Sequence, residues 1–316
     1  MKAAVVNVLG QPPRYQDFAE PKAGDGEVLI NVRAAGLHPI VKATASGSHY
    51  AFKGEVPVVP GIDGVGTLED GSRVFFTFAR KPWGTMCERT LAPRARCLPL
   101  PDNIDDVQAA AIVNPGMSAW LSIRDRAGLV KGESVLILGA TGVAGQLAIQ
   151  AARNLGARRI VAAGRNLGAL ASENLDGLVS LTQDDDSIRE AFVVEARKGI
   201  DVVIDYLWGR PTELLLEALA KGFDPNAGRS TRLVEVGESA GKAIALPGAT
   251  LRSINLKLMG SGLGSVPLDR VLGAIPTFFA MAAAGSLKVA AEPVPLAEVE
   301  AAWSRKQNGK RIVFTT

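Results

Sequence analysis

Residues 134 to 155 hold the most specific chemistry in the chain. A short apolar run, Ser134-Val135-Leu136-Ile137-Leu138, turns through Gly139-Ala140-Thr141-Gly142-Val143-Ala144-Gly145. It leads into a segment where Leu147, Ala151 and Leu155 recur at helical spacing. A strand that enters a helix through small residues presents backbone N–H groups that the first helical turn leaves without internal acceptors, and these suit a phosphate. Gly142 and Gly145 take the second and third glycine places of a G-x-G-x-x-G turn, with Ala140 in the first. An ordinary strand–helix turn is the bland alternative; the strand–turn–helix context favours a dinucleotide. About 20 residues on, where an acid would hold a ribose 2′-hydroxyl, stands Arg165 in Ala163-Gly164-Arg165-Asn166. No acid follows before Glu173. A guanidinium there can pair with a 2′-phosphate, so NADPH is expected rather than NADH. The bland alternative is a solvated arginine like Arg158 and Arg159.

These residues need a scaffold, and the texture of the chain supplies one. Up to about residue 115 the sequence is rich in Gly, Pro and short β-branched runs (2–8, 27–34, 65–68, 73–76), which predicts an irregular, mostly β unit without sustained helical periodicity. Further on, strands alternate with helices. Strands are expected at 134–138, 160–163, 178–181, 201–206, 232–236 and 256–260, and helices at 143–155, 187–197 and from Pro211. Fully apolar strands between helices imply a parallel sheet covered on both faces, and six of them suit a dinucleotide fold. From about residue 264 come a helix (268–284), an amphipathic segment (296–307) and a last strand (311–314).

Composition excludes several classes. Among 316 residues, 35 Lys and Arg against 32 Asp and Glu leave a net charge of +3, with no basic stripe for nucleic acid. A hydrophobic content of 47% can fill a sizeable core. Two cysteines, Cys87 and Cys97, make no disulfide framework and suit a reducing cytoplasm. The uncharged stretches 134–152 and 271–287 are interrupted by glycines, glutamines or Pro276, so neither is expected to span a membrane, and no signal peptide is expected at the start.

Taken in order, several segments carry a family resemblance: Ala34-Ala35-Gly36-Leu37-His38-Pro39, Val59-Pro60-Gly61-Ile62-Asp63-Gly64-Val65-Gly66, Pro115-Gly116-Met117-Ser118-Ala119-Trp120, the glycine turn, Asp201-Val202-Val203-Ile204-Asp205, Val236-Gly237 and Gly309-Lys310-Arg311-Ile312-Val313. The chain resembles the zinc-free quinone oxidoreductase (zeta-crystallin-like) branch of the medium-chain dehydrogenase/reductase superfamily over nearly its whole length. The resemblance implies an α/β fold in which a GroES-like, mostly β catalytic domain (1–117, completed by 265–316) is interrupted by a Rossmann NADPH-binding domain (118–264) with a six-stranded parallel sheet. It implies NADPH-dependent, zinc-independent hydride transfer to a quinone or an α,β-unsaturated carbonyl, acceptors whose developing charge hydrogen bonds can stabilise. Zinc-dependent relatives draw three ligands from the segments around His38, Ile62 and Asn114-Pro115. Here only His38 is a ligand type, and one ligand does not hold zinc, so no metal is expected.

The resemblance also suggests roles. His38 stands where relatives usually place Asn; it is either a donor to the substrate carbonyl and proton source or a packed histidine. Lys42 and Tyr50 are further catalytic candidates, with Phe52 and Trp83 as pocket walls. Ser118, Gly237, Glu238, Ser261, Gly262, Leu263 and Lys310 are expected near the cofactor, with Ala140, Thr141, Gly142, Val143, Gly145, Gly164, Arg165 and Asn166. Leu181 stands near the place of an adenine-side tyrosine in some relatives. A homodimer through the edge strand from Asn255 to Gly260 is expected, with a small-molecule substrate and no nucleic acid. An enoyl-thioester reductase and an NADPH-binding module with little catalysis are the competing readings.

Overall fold

A computed structural model describes residues 1–50 and 54–316. The chain forms two compact units, Met1–Pro115 with Ala274–Thr316, and Gly116–Gly273. The limits of these units fall after Pro115 and after Gly273, where boundaries were expected after residues 117 and 264.

The first unit contains β1 (Lys2–Val5), β2 (Arg14–Asp17), β3 (Glu27–Gly36), α1 (Pro39–Ala45), β4 (Asp63–Thr67), β5 (Arg73–Thr77), β6 (Arg89–Pro93) and β7 (Cys97–Pro99), then the start of α2 (Asp106–Leu121). β3 is its central strand. It pairs antiparallel with β4, with β6 and, far along the sequence, with the final strand. Ala3, Val5, Leu37, Val41, Met86, Trp303, Ile312 and Phe314 share one apolar core, so residues from both ends of the chain close it.

α2 was not expected, because no helical stripe is visible before residue 115. The reason is physical. From Ala109 to Leu121 it is buried on nearly every side, so its Ala-rich sequence has no polar face to create a period. Asp106 at its first turn is held by Arg33 and by Arg73, whose Nη2 lies 2.6 Å from Oδ1.

The second unit follows the expected alternation closely: β8 (Ser134–Leu138), α3 (Val143–Asn154), β9 (Arg159–Gly164), β10 (Gly177–Ser180), α4 (Asp185–Arg197), β11 (Val202–Asp205), α5 (Arg210–Gly222), β12 (Thr231–Glu235), α6 (Gly248–Ser253) and β13 (Leu256–Gly260). Six parallel strands run in the order β10-β9-β8-β11-β12-β13. β8 is buried at every residue, as a central strand covered on both faces must be. The order reverses between β8 and β11, where a doubly wound sheet opens its ligand crevice beyond the strand ends. α7 (Leu268–Ala283) leads back to the first unit, followed by β14 (Ala291–Pro295), α8 (Val299–Trp303) and β15 (Arg311–Thr315). The amphipathic segment expected at 296–307 is shorter, a single 3-10 turn and α8. No helix among the described residues is long and apolar enough to cross a membrane.

Candidate active site

The glycine turn sits at the C-terminal end of β8. Gly142 caps α3 in extended conformation with no side-chain cap, and Gln146 N donates to its carbonyl. The N–H groups of Val143, Ala144 and Gly145 thus open the helix without internal acceptors. Gly145 is required by close approach: a Cβ there would lie 2.3 Å from the Gly139 carbonyl oxygen and 2.6 Å from Ala140 Cα. Ala140 is fully buried, and its N–H donates to the Ala163 carbonyl at the end of β9, as does that of Gly139. Thr141 packs onto Gly164, where a Cβ would meet its Cγ2 at 2.6 Å. Strand, turn, Gly164 and Arg165 are therefore one local structure. Arg165 and Asn166 are exposed, and Arg165 makes no ion pair or hydrogen bond with the described residues. Glu173, the nearest acid in sequence, is taken by Arg153 at 3.0 Å.

Across the same sheet, the ends of β12 and β13 bring together Gly237, Glu238 and Ser261, whose N–H donates to Glu235 O at 2.8 Å. A cavity of about 390 Å³ lies here, lined in part by Trp208, Glu235, Glu238, Lys242 and Met259. Burial raises the Glu235 carboxyl above its ordinary range, and the charges of Asp205 and Glu238 add to this. Ser265 Oγ pins the Gly262 backbone, and Leu263 is exposed. Ser118 interacts with the buried Tyr206 hydroxyl, which burial pushes far above the usual phenol range.

One anchor of this region was not singled out from the sequence. Asp205, buried at the end of β11, accepts from Leu207 N (2.8 Å), Trp208 N (3.0 Å) and Thr212 Oγ1 (2.6 Å). It fixes a turn that holds Trp208 at φ 55°, a left-handed conformation costing a bulky residue on the order of 1–3 kcal/mol. A strand-end acid followed seven residues later by Thr is the only signal of it in the sequence.

In the first unit, His38 was expected either as a substrate donor or as a packed histidine. It precedes α1 and is fully buried. Its Nε2 lies 3.4 Å from Asp63 Oδ1, on an imidazole packed against Gly36 and the Ala110 carbonyl. Neither ring nitrogen has an aligned hydrogen bond. Burial first, then the Arg311 charge, holds the imidazole well below its ordinary pKa, so it is neutral at pH 7. Asp63, also buried, is pushed up to about 7 by desolvation, against the pull of Arg311. Arg311 itself is lowered to about 10 by burial. Its guanidinium donates to Leu37 O (2.7 Å) and Gln307 Oε1 (3.0 Å). The result is a closed His38–Asp63–Arg311 group rather than a substrate-facing side chain.

The other candidates vary. Lys42 is half-buried without an acid partner among the described residues, and burial followed by the Arg311 charge lowers its pKa. Tyr50 is 70% exposed and stacks on His49 with centroids 4.4 Å apart, so it is not enclosed as a pocket wall. Trp83 is also no free wall, since its Nε1 donates to Ala19 O at 2.8 Å and Arg80 covers its ring. Lys310 is exposed. Phe52 lies outside the described residues. No group of three or more His, Cys, Asp or Glu that could hold a metal occurs among the described residues.

No family model matches the chain. A probable NADPH-dependent quinone reductase of Emericella nidulans is 27% identical, aligned over 99% of both chains. The quinone oxidoreductase of Rattus norvegicus is 31% identical over 70% of this chain and 71% of its own. Among solved structures, a quinone oxidoreductase of Thermus thermophilus, determined alone and in complex with NADPH, has a TM-score of 0.79 and 29% identity over 100% of both chains. A six-stranded doubly wound unit inserted into a mostly β unit is the architecture of the medium-chain dehydrogenase/reductase superfamily. Within it, the chain belongs to the quinone oxidoreductase family.

Proposed function

We propose that this chain is an NADPH-dependent quinone oxidoreductase that also accepts α,β-unsaturated carbonyls and works without a metal ion. The observation that carries the reading is the turn between β8 and α3, with its open N–H groups and the unpartnered Arg165 beside it. The Emericella quinone reductase and the NADPH-bound Thermus quinone oxidoreductase support NADPH as cofactor and a quinone as acceptor. NADPH, when bound, supplies a hydride.

The protein's own work is to bind, orient and donate. Val143, Ala144 and Gly145 N–H groups hold the pyrophosphate, with Ala140, Thr141 and Gly142 shaping the turn. Gly164, Arg165 and Asn166 take the phosphorylated ribose. Ser118, Gly237, Glu238, Ser261, Gly262 and Leu263 border the nicotinamide half, and Lys310 adds positive charge. In this reading Lys42 Nζ donates to the acceptor oxygen that gains negative charge. Its half-buried ammonium, weakened as a base by burial, gives up its proton more readily than a solvated lysine. His38 is assigned a positioning role through Asp63 and Arg311, since a fully buried imidazole has no atom to offer a substrate.

The donor set supports metal independence. His38 and Asp63 are two ligand types in contact, but Ile62 and Asn114 occupy the neighbouring places and the Arg311 cation stands by. Catalytic zinc needs about three protein ligands. We further assign a homodimer through the edge from Asn255 to Gly260 and a cytoplasmic location, which the two unpaired thiols, Cys87 and Cys97, support.

The test is NADPH oxidation across quinones, enones and acyl thioesters, with and without chelator. Quinone and enone turnover insensitive to EDTA is expected. Activity that dies with chelator and returns with added metal would falsify the metal-free reading. Lys42→Ala is expected to lower kcat about tenfold with NADPH affinity unchanged; unchanged kcat removes Lys42 from the reaction.

A further inference from the structure

The ends of β9 and β10 are bound side by side. Their register pairs Gly164 with Ser180, and Leu181 N donates to the Gly164 carbonyl at 3.0 Å, so both strands release their next residues at the same edge of the sheet. From β9 come Arg165 and Asn166, both exposed. From β10 come Ser180 and Thr182, whose hydroxyl oxygens are 2.8 Å apart. Two hydroxyls carry two protons, and their mutual bond uses one. The other O–H remains to donate outward, and it is a stronger donor because its oxygen already accepts.

Three carboxylates follow immediately, and free acids there would repel an anion. Each is engaged. Asp184 accepts from Ser187 N (2.9 Å) and Ser187 Oγ (2.8 Å) at the cap of α4. Asp185 is bound by Arg210 Nε at 2.8 Å, and Asp186 pairs with Arg189. Arg210 and Arg189 thus hold two of the three acids, although they are shared with Glu213 and Glu217, and Arg165 has no acid partner among the described residues.

We propose that Ser180 and Thr182 complete, with Arg165, the seat of the 2′-phosphate on the adenine ribose, and so determine the preference for NADPH over NADH; this rests on the cofactor reading above. A phosphate monoester carries roughly −1.5 to −2 charge at pH 7 and three acceptor oxygens, matching one guanidinium and adjacent hydroxyl donors. Leu181 between them offers no side-chain donor. The hydroxyls on either side of it provide the polar contact.

The test measures dissociation constants of NADPH and NADH by cofactor fluorescence, and of 2′,5′-ADP against 5′-AMP by competition, for the full chain and for Ser180→Ala/Thr182→Ala. The double variant is expected to weaken NADPH and 2′,5′-ADP roughly tenfold while NADH and 5′-AMP stay within about twofold. Ser180→Thr/Thr182→Ser should retain the native preference. Unchanged NADPH affinity in the double variant, or equal losses for both cofactors, overturns the assignment while leaving the cofactor reading intact. A native chain that binds neither cofactor, or prefers NADH, overturns both.

Discussion

Among single residues, Arg165 has the clearest consequence. An exposed guanidinium without a partner costs nothing to redirect, so reversing its charge tests the phosphate it serves. Arg165→Glu is expected to raise the NADPH dissociation constant by about a hundredfold and that of NADH by only a few-fold. Equal losses would mean that the side chain only stabilises the turn. Asp63 makes a different prediction, about pH. Its folded pKa of about 7 lies above the ordinary value near 4 of an unfolded aspartate. Between these values the unfolded carboxyl is ionised while the folded one stays protonated, so stability present below about pH 4 is lost as pH rises to about 7. Buried His38 acts in the opposite direction, costing stability as pH falls below its ordinary value. Asp63→Asn removes only the first effect. Its melting temperature relative to the native protein should therefore move in the variant's favour between pH 5 and pH 8; a difference that stays constant with pH contradicts the buried-acid account.

At the level of elements, the β8–α3 turn tolerates no added carbon. Gly145→Ala drives a methyl into the Gly139 carbonyl, so the turn must open. We expect NADPH binding to fall at least tenfold with a loss of about 1–3 kcal/mol in stability, read by fluorescence titration and chemical denaturation. Full affinity in that variant would remove the turn from the cofactor site. This half of the molecule was legible in the sequence because strand, turn and amphipathic helix each carry a local signal, and the observed bounds fall close to the expected ones. α2 was illegible for the converse reason, since a helix buried all round has no period. The His38–Asp63–Arg311 group was hidden differently. All three residues sit in segments that carry the family resemblance, but β4 and β15 bring Asp63 and Arg311 together from distant parts of the chain, and sequence alone gives no view of burial. The sequence accordingly left His38 open between a donor and a packed side chain, whereas its burial is visible only in the fold.

For the whole molecule, the β13 edge of the six-stranded sheet carries a prediction that a mass measurement checks. β13 pairs with β12 alone, and Leu258 is 38% exposed on it. Although Lys257 is also exposed on this strand, an edge with unpaired backbone groups and an exposed leucine can receive a second copy. Sedimentation should find a dimer, and Leu258→Lys should shift it to monomer; a monomeric native protein rules out that assignment.

The pairing of β15 with β3 bears on the order in which the protein is made. Val313 and Phe314 lie beside Gly36 and Ala35, and Arg311 is bound to the Leu37 carbonyl. Residues 34–37 therefore wait for residues 311–315, which are made much later, whereas the nucleotide-binding half is one uninterrupted stretch and needs no such delay. During synthesis the inserted unit is positioned to fold before the unit that surrounds it, reversing the usual N-terminal-first sequence of multidomain chains.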